Sequence, residues 1–292
     1  MPDQHRLFFA GLPFVVIGAV DPEGRPWATL RAGRPGFMSS PDPRHLRLDL
    51  PRDPADPADA GMEDGDAIGL LGIEPATRRR NRMNGTLLRD GPGAFTVRVE
   101  QSFGNCPQYI RQREVRALRD PRAAPSAPPL VTEGPDERAR RIIAGADTFY
   151  VASFADPPGG GRQVDVSHRG GRPGFVRIGA DGALTIPDFS GNRFFNTLGN
   201  LLANPRAGLV FVEDATGDLV QMTGRAEVLA DSPEVAAFPG AERLWRFEPG
   251  RTVFRAAGLP LALPPVPGGW SPQTLRTGNW AGAPDLPDPA RT

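Results

Sequence analysis

Arg31-Ala-Gly-Arg-Pro-Gly-Phe37 returns as Arg169-Gly-Gly-Arg-Pro-Gly-Phe175, 138 residues further along the chain. The flanking residues keep step with it. Upstream, Phe14-Val-Val-Ile-Gly-Ala-Val20 with Asp21-Pro-Glu-Gly24 and Trp27-Ala-Thr-Leu30 is answered by Phe149-Tyr-Val-Ala-Ser-Phe154, Asp156-Pro157 and Val164-Asp-Val-Ser167. Downstream, Glu74-Pro-Ala-Thr77 and Met83-Asn-Gly85 are answered by Glu213-Asp-Ala-Thr216 and Met222-Thr-Gly224 at an offset of 139. Matches kept in order at a nearly constant spacing make the chain a diverged tandem repeat.

Each copy opens with two apolar runs joined through Pro and Gly, the pattern of a β-hairpin. Further short strands follow, such as Ala94-Phe-Thr-Val-Arg-Val99 and Ala207-Gly-Leu-Val-Phe-Val212. Closing such strands into a small barrel hides their edges. The predicted fold is therefore mainly β, two tandem barrels with a few short helices. The expected divisions are 1–120 for the first barrel, 121–130 for a Pro-rich linker, 131–258 for the second barrel and 259–292 for an extended Pro/Gly-rich tail. A helix is expected over Asp136–Gly145. Leu7–Val20, interrupted by Pro13 and followed by no small-residue cleavage site, reads as a strand and not as a signal-peptide core.

The 292 residues suit two domains. Acidic and basic side chains balance at 34 each, which leaves no overall field for nucleic acid or an anionic membrane. Every basic residue is arginine, because the sequence contains no lysine; this excludes P-loop, pyridoxal Schiff-base and protein-kinase chemistry. One cysteine excludes an intrachain disulfide, and the few histidines argue against a metal site. No apolar run is long enough to span a membrane, and the expected compartment is the cytoplasm. Arg78-Arg-Arg-Asn-Arg82 reads as a strand with Arg78, Arg80 and Arg82 on one solvated face, in preference to a nucleic-acid patch.

The two copies stop matching after their Arg-Pro-Gly-Phe turns. In the second copy a helix is expected from Phe194 to Ala203, with Ser190 as N-cap and Pro205 beyond its end. A helix start of this kind binds phosphate through its free amides and positive dipole end, here among Asn192, Arg193, Asn196 and Thr197. Arg169, Arg172, Arg177 and Arg193 are expected to converge on one anion. The first copy has Ser39 where a second arginine would fall, and an acidic, Pro-rich loop at 51–64 that would repel phosphate.

These residues resemble the flavin-binding split barrels related to pyridoxamine 5′-phosphate oxidase. The resemblance is carried by Asp165-Val-Ser-His-Arg-Gly-Gly-Arg-Pro-Gly-Phe175, by Pro187-Asp-Phe-Ser-Gly-Asn-Arg193 through Asn204-Pro-Arg-Ala-Gly208, and by Gln101-Ser-Phe-Gly-Asn-Cys-Pro107. It covers nearly the whole chain as two copies, tail excluded. It implies two split β-barrels forming an intrachain pseudo-dimer, with one FMN between them. The phosphate is expected at Arg172, Arg177, Asn192, Arg193, Asn196 and Thr197, and the isoalloxazine against Ser167–Arg169 and Asp188. Asn105 is then expected to orient substrate, Tyr109 to donate a proton, Cys106 to touch flavin or substrate, and His168 to act as acid or base. The function implied is that of an FMN-dependent oxidoreductase; the alternatives are a flavin carrier or sensor without turnover, and a haem-binding relative. The expected partners are a small-molecule substrate, a separate electron donor and, in a homodimer, a second copy of the chain.

Overall fold

In a computed structural model, residues 1–123, 127–191 and 195–280 are described. Two antiparallel sheets carry nearly all of the regular structure. The first joins β1 (Phe14–Val20), β2 (Pro26–Ala32), β3 (Met38–Asp42), β4 (His45–Leu48), β5 (Ala67–Glu74), β6 (Arg79–Arg89) and β7 (Phe95–Gly104) in the order β2-β1-β5-β6-β7-β4-β3. After β8 (Arg116–Ala117) and β9 (Leu130–Glu133), the second joins β10 (Thr148–Ala155), β11 (Gln163–Gly170), β12 (Arg177–Ile178), β13 (Leu184–Phe189), β14 (Arg206–Val212), β15 (Leu219–Leu229) and β16 (Ala241–Arg255) in the order β11-β10-β14-β15-β16-β13-β12. The two orders are the same order. β9 adds to the edge of β16. The chain is mainly β, built as two split-barrel-like halves.

The repeat extends to single rungs. Thr29 faces Ile17, which faces Leu70, which faces Met83; in the second sheet Ser167, Val151, Leu209 and Met222 make the same rung. Register of this kind is enforced because a one-residue slip would turn every side chain to the wrong face.

β1 and β10 are apolar on both faces, and the reason lies in what covers them. Val15, Ile17 and Ala19 point into the first half's own core, whereas Phe14 and Val16 join a second core shared with Tyr150, Ala152, Val166 and Val210. Phe149 and Val151 of β10 point into the other half's own core. A strand that is buried on both sides reads as a continuous hydrophobic run, and here the second covering layer is the other half of the chain. Two equivalent glycines permit the approach. A Cβ on Gly208 of β14 would lie 2.3 Å from the carbonyl oxygen of Pro26, and one on Gly69 of β5 would lie 2.9 Å from that of Val164.

Helix α1 (Asp3–Gly11) corrects the reading of Leu7–Val20 as one strand: the helix runs to Gly11 and β1 begins only after Pro13. The repeat held the signal, since α2 (Glu137–Gly145) stands at the same place in the second copy. α2 begins where expected, and the Asp136 carboxylate caps it by accepting from the Ala139 amide. The described part of the tail folds back over the molecule. β17 (Leu261–Ala262) pairs with β8, Gln112 donates to the Gly269 carbonyl, and Trp280 packs edge-on against Phe238.

Candidate functional site

A cleft runs along β11 at the seam of the two halves. The second half contributes Ser167, His168 and Arg169 of β11, Asp188 of β13, and Asn196 and Thr197 from the first turn of α3 (Asn196–Ala203). The first half contributes Arg80 and Arg82 of β6, and Asn105, Cys106, Gln108 and Tyr109 from the segment after β7. Of the residues singled out in sequence, Asn105, Cys106, Tyr109, Ser167, His168, Arg169, Asp188, Asn196 and Thr197 do come together. Asn192 and Arg193 lie outside the described residues.

Two of the expected arginines do not join them. Arg177 makes a two-pronged ion pair with Glu234, at 2.7 and 2.8 Å, and lies 4.0 Å from the centre of the Trp280 ring. The strand alternation that would aim it at the anion is absent: β12 spans only Arg177–Ile178, and Phe175 and Val176 are both buried. Arg172 is not among the residues lining the cleft. The helix also starts later than its sequence suggests. Phe195 precedes it in a left-handed conformation, φ 49°, so Ser190 is not its cap.

The largest correction concerns the arginine run. Arg80 and Arg82 do not form a solvated face: Arg82 is buried, Arg80 is only partly exposed, and both line the cleft at the seam. Arg82 is 6% exposed, pairs with Asp165 at 2.9 Å and donates to the Ser167 hydroxyl at 2.7 Å. Thr197 donates to the same hydroxyl at 2.9 Å, so three elements from two halves meet at Ser167. A signal for this burial exists in the sequence. Leu219-Val-Gln-Met222 stands in the second copy where Arg80-Asn-Arg-Met83 stands in the first, and an apolar counterpart marks a buried strand face.

Several of the charges in the cleft are paired. The Asp188 carboxylate accepts from both Arg169 and Arg243. Burial and the surrounding Arg80, Arg113 and Arg169 guanidiniums hold the His168 imidazole well below its ordinary pKa, so it is neutral at physiological pH. It meets the Tyr150 ring edge to face, centroids 5.7 Å apart. Tyr109, at φ 63°, stacks on Phe189 and donates its hydroxyl proton to the Ser190 carbonyl at 2.9 Å. Burial, then the nearby Glu242, raises the Tyr109 pKa, which keeps that proton in place. Cys106 is a half-buried free thiol. The Asn105 side-chain oxygen is buried without a hydrogen-bond partner, a feature suited to a ligand's donor.

The equivalent position in the first half is filled from within. The acidic loop does more than repel: it turns inward and places Asp56, fully enclosed, between the halves. Its carboxylate accepts from Thr29 at 2.6 Å and from Gln221 at 3.0 Å, with Arg255 at 3.2 Å and Arg31 at 3.9 Å. By the shared register Thr29 corresponds to Ser167, Arg31 to Arg169 and Gln221 to Arg82. Burial opposes the charge on Asp56, but Arg255 and Arg31 outweigh it and hold the carboxyl below its usual range. A single 3₁₀ turn, Pro57–Gly61, replaces α3 beside it.

Among the described residues no group of three or more His, Cys, Asp or Glu is placed to hold a metal ion. No helix among them is long and apolar enough to cross a membrane.

Compared with known proteins, residues 135–257 match the family model described as pyridoxamine 5′-phosphate oxidase. No curated protein sequence matches. Among solved structures the chain is similar to HupZ of Group A Streptococcus (16% identity, 36% of this chain and 94% of that one, TM-score 0.29). It is also similar to an FAD-binding protein from Mesorhizobium loti (16%, 44% and 99%, TM-score 0.30) and to HutZ, the heme storage protein from Vibrio cholerae (15%, 42% and 95%, TM-score 0.29). The second half of the chain, over residues 135–257, is thus similar to the pyridoxamine 5′-phosphate oxidase family.

Proposed function

We propose that the protein is an FMN-dependent oxidoreductase acting on a small organic substrate, with one flavin per chain held in the cleft along β11. One observation carries the reading. Of two equivalent positions at the seam, one is filled by the chain's own Asp56 and the other is a cleft lined by donors from both halves.

The residues present suit a flavin. Tyr109, Phe175, Phe189 and Phe195 offer apolar and aromatic surface to a flat ring. Ser167, Arg169 and Asn105 offer polar groups to a ring edge, and the first turn of α3 suits a phosphate. Bound flavin would supply the redox chemistry; the protein would orient it, set the polarity around it and exclude competing reactions. His168, neutral in its arginine surroundings, serves in this reading as a polar wall that accepts or donates one hydrogen bond. Electrons would come from substrate or from a separate donor, since the sequence has no cysteine cluster to carry them.

The family commonly binds FMN and includes haem-binding members, so the absorption spectrum of purified protein is the first test. Flavin bands are expected, and flavin released by heat should approach one equivalent in reconstituted material. Two equivalents would show that Asp56 does not close the first-half position, and a Soret band in place of flavin bands would favour haem. Flavin that is never reduced by NAD(P)H or candidate substrates would make the protein a carrier.

Arg193, placed at the phosphate by resemblance, gives a second test. Arg193→Ala should weaken FMN roughly ten- to a hundredfold, as expected for losing a charge-assisted hydrogen bond, and leave riboflavin almost unchanged. Equal loss of both in a fluorescence titration would place the phosphate elsewhere.

A further inference from the structure

Among the described residues, the arginines that line the cleft are answered by acids, with one exception. Arg82 has Asp165, while Arg169 and Arg243 share Asp188. Arg80 makes no ion pair with any described residue, and its Nε is buried without a hydrogen-bond partner. The charged and titratable groups it feels include two further cations, Arg82 and Arg169, together with Cys106 and Tyr150. Burial first, then those cations, lower its pKa to about 10, which still leaves it charged at physiological pH. A half-buried guanidinium with its Nε enclosed and unanswered is costly and persists where something answers it.

The equivalent position in the first half shows what kind of group fits. In the first-half position a carboxylate, Asp56, sits among Thr29, Arg31, Gln221 and Arg255, and there the counterpart of Arg80 is the apolar Leu219. The open cleft keeps an equivalent hydroxyl and arginine in Ser167 and Arg169. It lacks an inserted carboxylate and adds one cation.

We propose that the cleft binds an anionic oxygen group, a carboxylate or a phosphate, seated on Arg80, so that the first half selects the charge of a ligand held mainly by the second. The inference rests on the cleft being the ligand site; it does not need the ligand to be a flavin. The group has two sources, the phosphate of the cofactor or the acid group of a substrate.

Three forms of the full chain separate them: wild type, Arg80→Met and Arg80→Lys. FMN and riboflavin affinities are measured by fluorescence, and benzoate is titrated into riboflavin-loaded protein. If the cofactor phosphate is the anion, Arg80→Met weakens FMN roughly ten- to a hundredfold relative to riboflavin. If a substrate acid is the anion, benzoate falls by that factor while FMN and riboflavin hold. In both cases Arg80→Lys restores most of the loss, and the unliganded melting temperature of Arg80→Met is unchanged or raised. Unchanged affinity for all three probes overturns the proposal. So does loss of all three with a lowered melting temperature, because Arg80 would then be structural. Should wild type bind no flavin, thermal shift with benzoate and with inorganic phosphate still decides. A shift that Arg80→Met abolishes supports the anion site while the flavin reading fails, and the absence of any such shift overturns both.

Discussion

Asp56→Ala is expected to destabilise the fold by about 3–5 kcal/mol, the cost of breaking a buried ion network and leaving its cations without a partner. At about 2–4 °C per kcal/mol for a protein somewhat smaller than this one, the melting temperature should fall by on the order of 10 °C. The size of the effect follows from the surroundings: Asp56 is 2% exposed and contacts Thr29 and Arg31 in one half and Gln221 and Arg255 in the other. Its loss therefore loosens the seam as well as the loop. The pH dependence has a definite sign. A carboxyl held below its usual range stabilises the fold above the unfolded carboxylate pKa, and that contribution disappears as the pH falls toward the folded value. Wild type should thus lose stability more steeply than Asp56→Ala on acidification below about pH 4. Urea unfolding of both proteins at pH 7 and through the acid range checks size and slope together. Equal midpoints at pH 7 would mean that Asp56 is solvated and that the first-half position is not closed by it.

Gly208→Ala should cost about 3 kcal/mol, at the upper end of what overpacking a buried site does. The added Cβ would lie 2.3 Å from the Pro26 carbonyl oxygen, 2.6 Å from its carbon and 2.7 Å from the Trp27 Cα. All three are backbone atoms of the other half, so no side-chain rotation relieves the clash and the strands must separate. Gly199→Ala is the control. On α3 a Cβ at Gly199 meets nothing within 4 Å, and the exchange should stabilise the protein by about 0.5–1 kcal/mol through the unfolded chain. Thermal melts of the two variants should move in opposite directions. A Gly208→Ala protein as stable as its parent would contradict the close crossing of β14 over β2.

Much of this architecture is legible in the amino-acid sequence, and the legible parts share a property. The hairpins, the start of α2 at Asp136 and the doubling of the fold depend on neighbours in sequence or on a pattern repeated 138 or 139 residues later. Nine of the proposed site residues converge: Ser167, His168, Arg169 and Asp188 from strands, Asn105, Cys106 and Tyr109 from the segment after β7, and Asn196 and Thr197 from the first turn of α3. Arg177 does not follow, because the strand expected to aim it is only two residues long and Phe175 and Val176 are both buried.

What the sequence by itself determined was a doubled β fold and the pair of copies that face one another. Which counter-charges the polar residues meet there was decided only by tertiary structure. Arg80 and Arg82 alternate along β6 in the same way whether their face meets water or protein; the apolar counterpart in the second copy marks the face as covered, but nothing in the sequence names Asp165 as the partner of Arg82. The Asp53-to-Asp59 loop likewise reads as solvated acid until Arg255, roughly 200 residues away, is brought against it. A charge enters a protein interior only where its counter-charge arrives from elsewhere in the chain, so its destination belongs to the packing of the two halves and not to the segment that carries it.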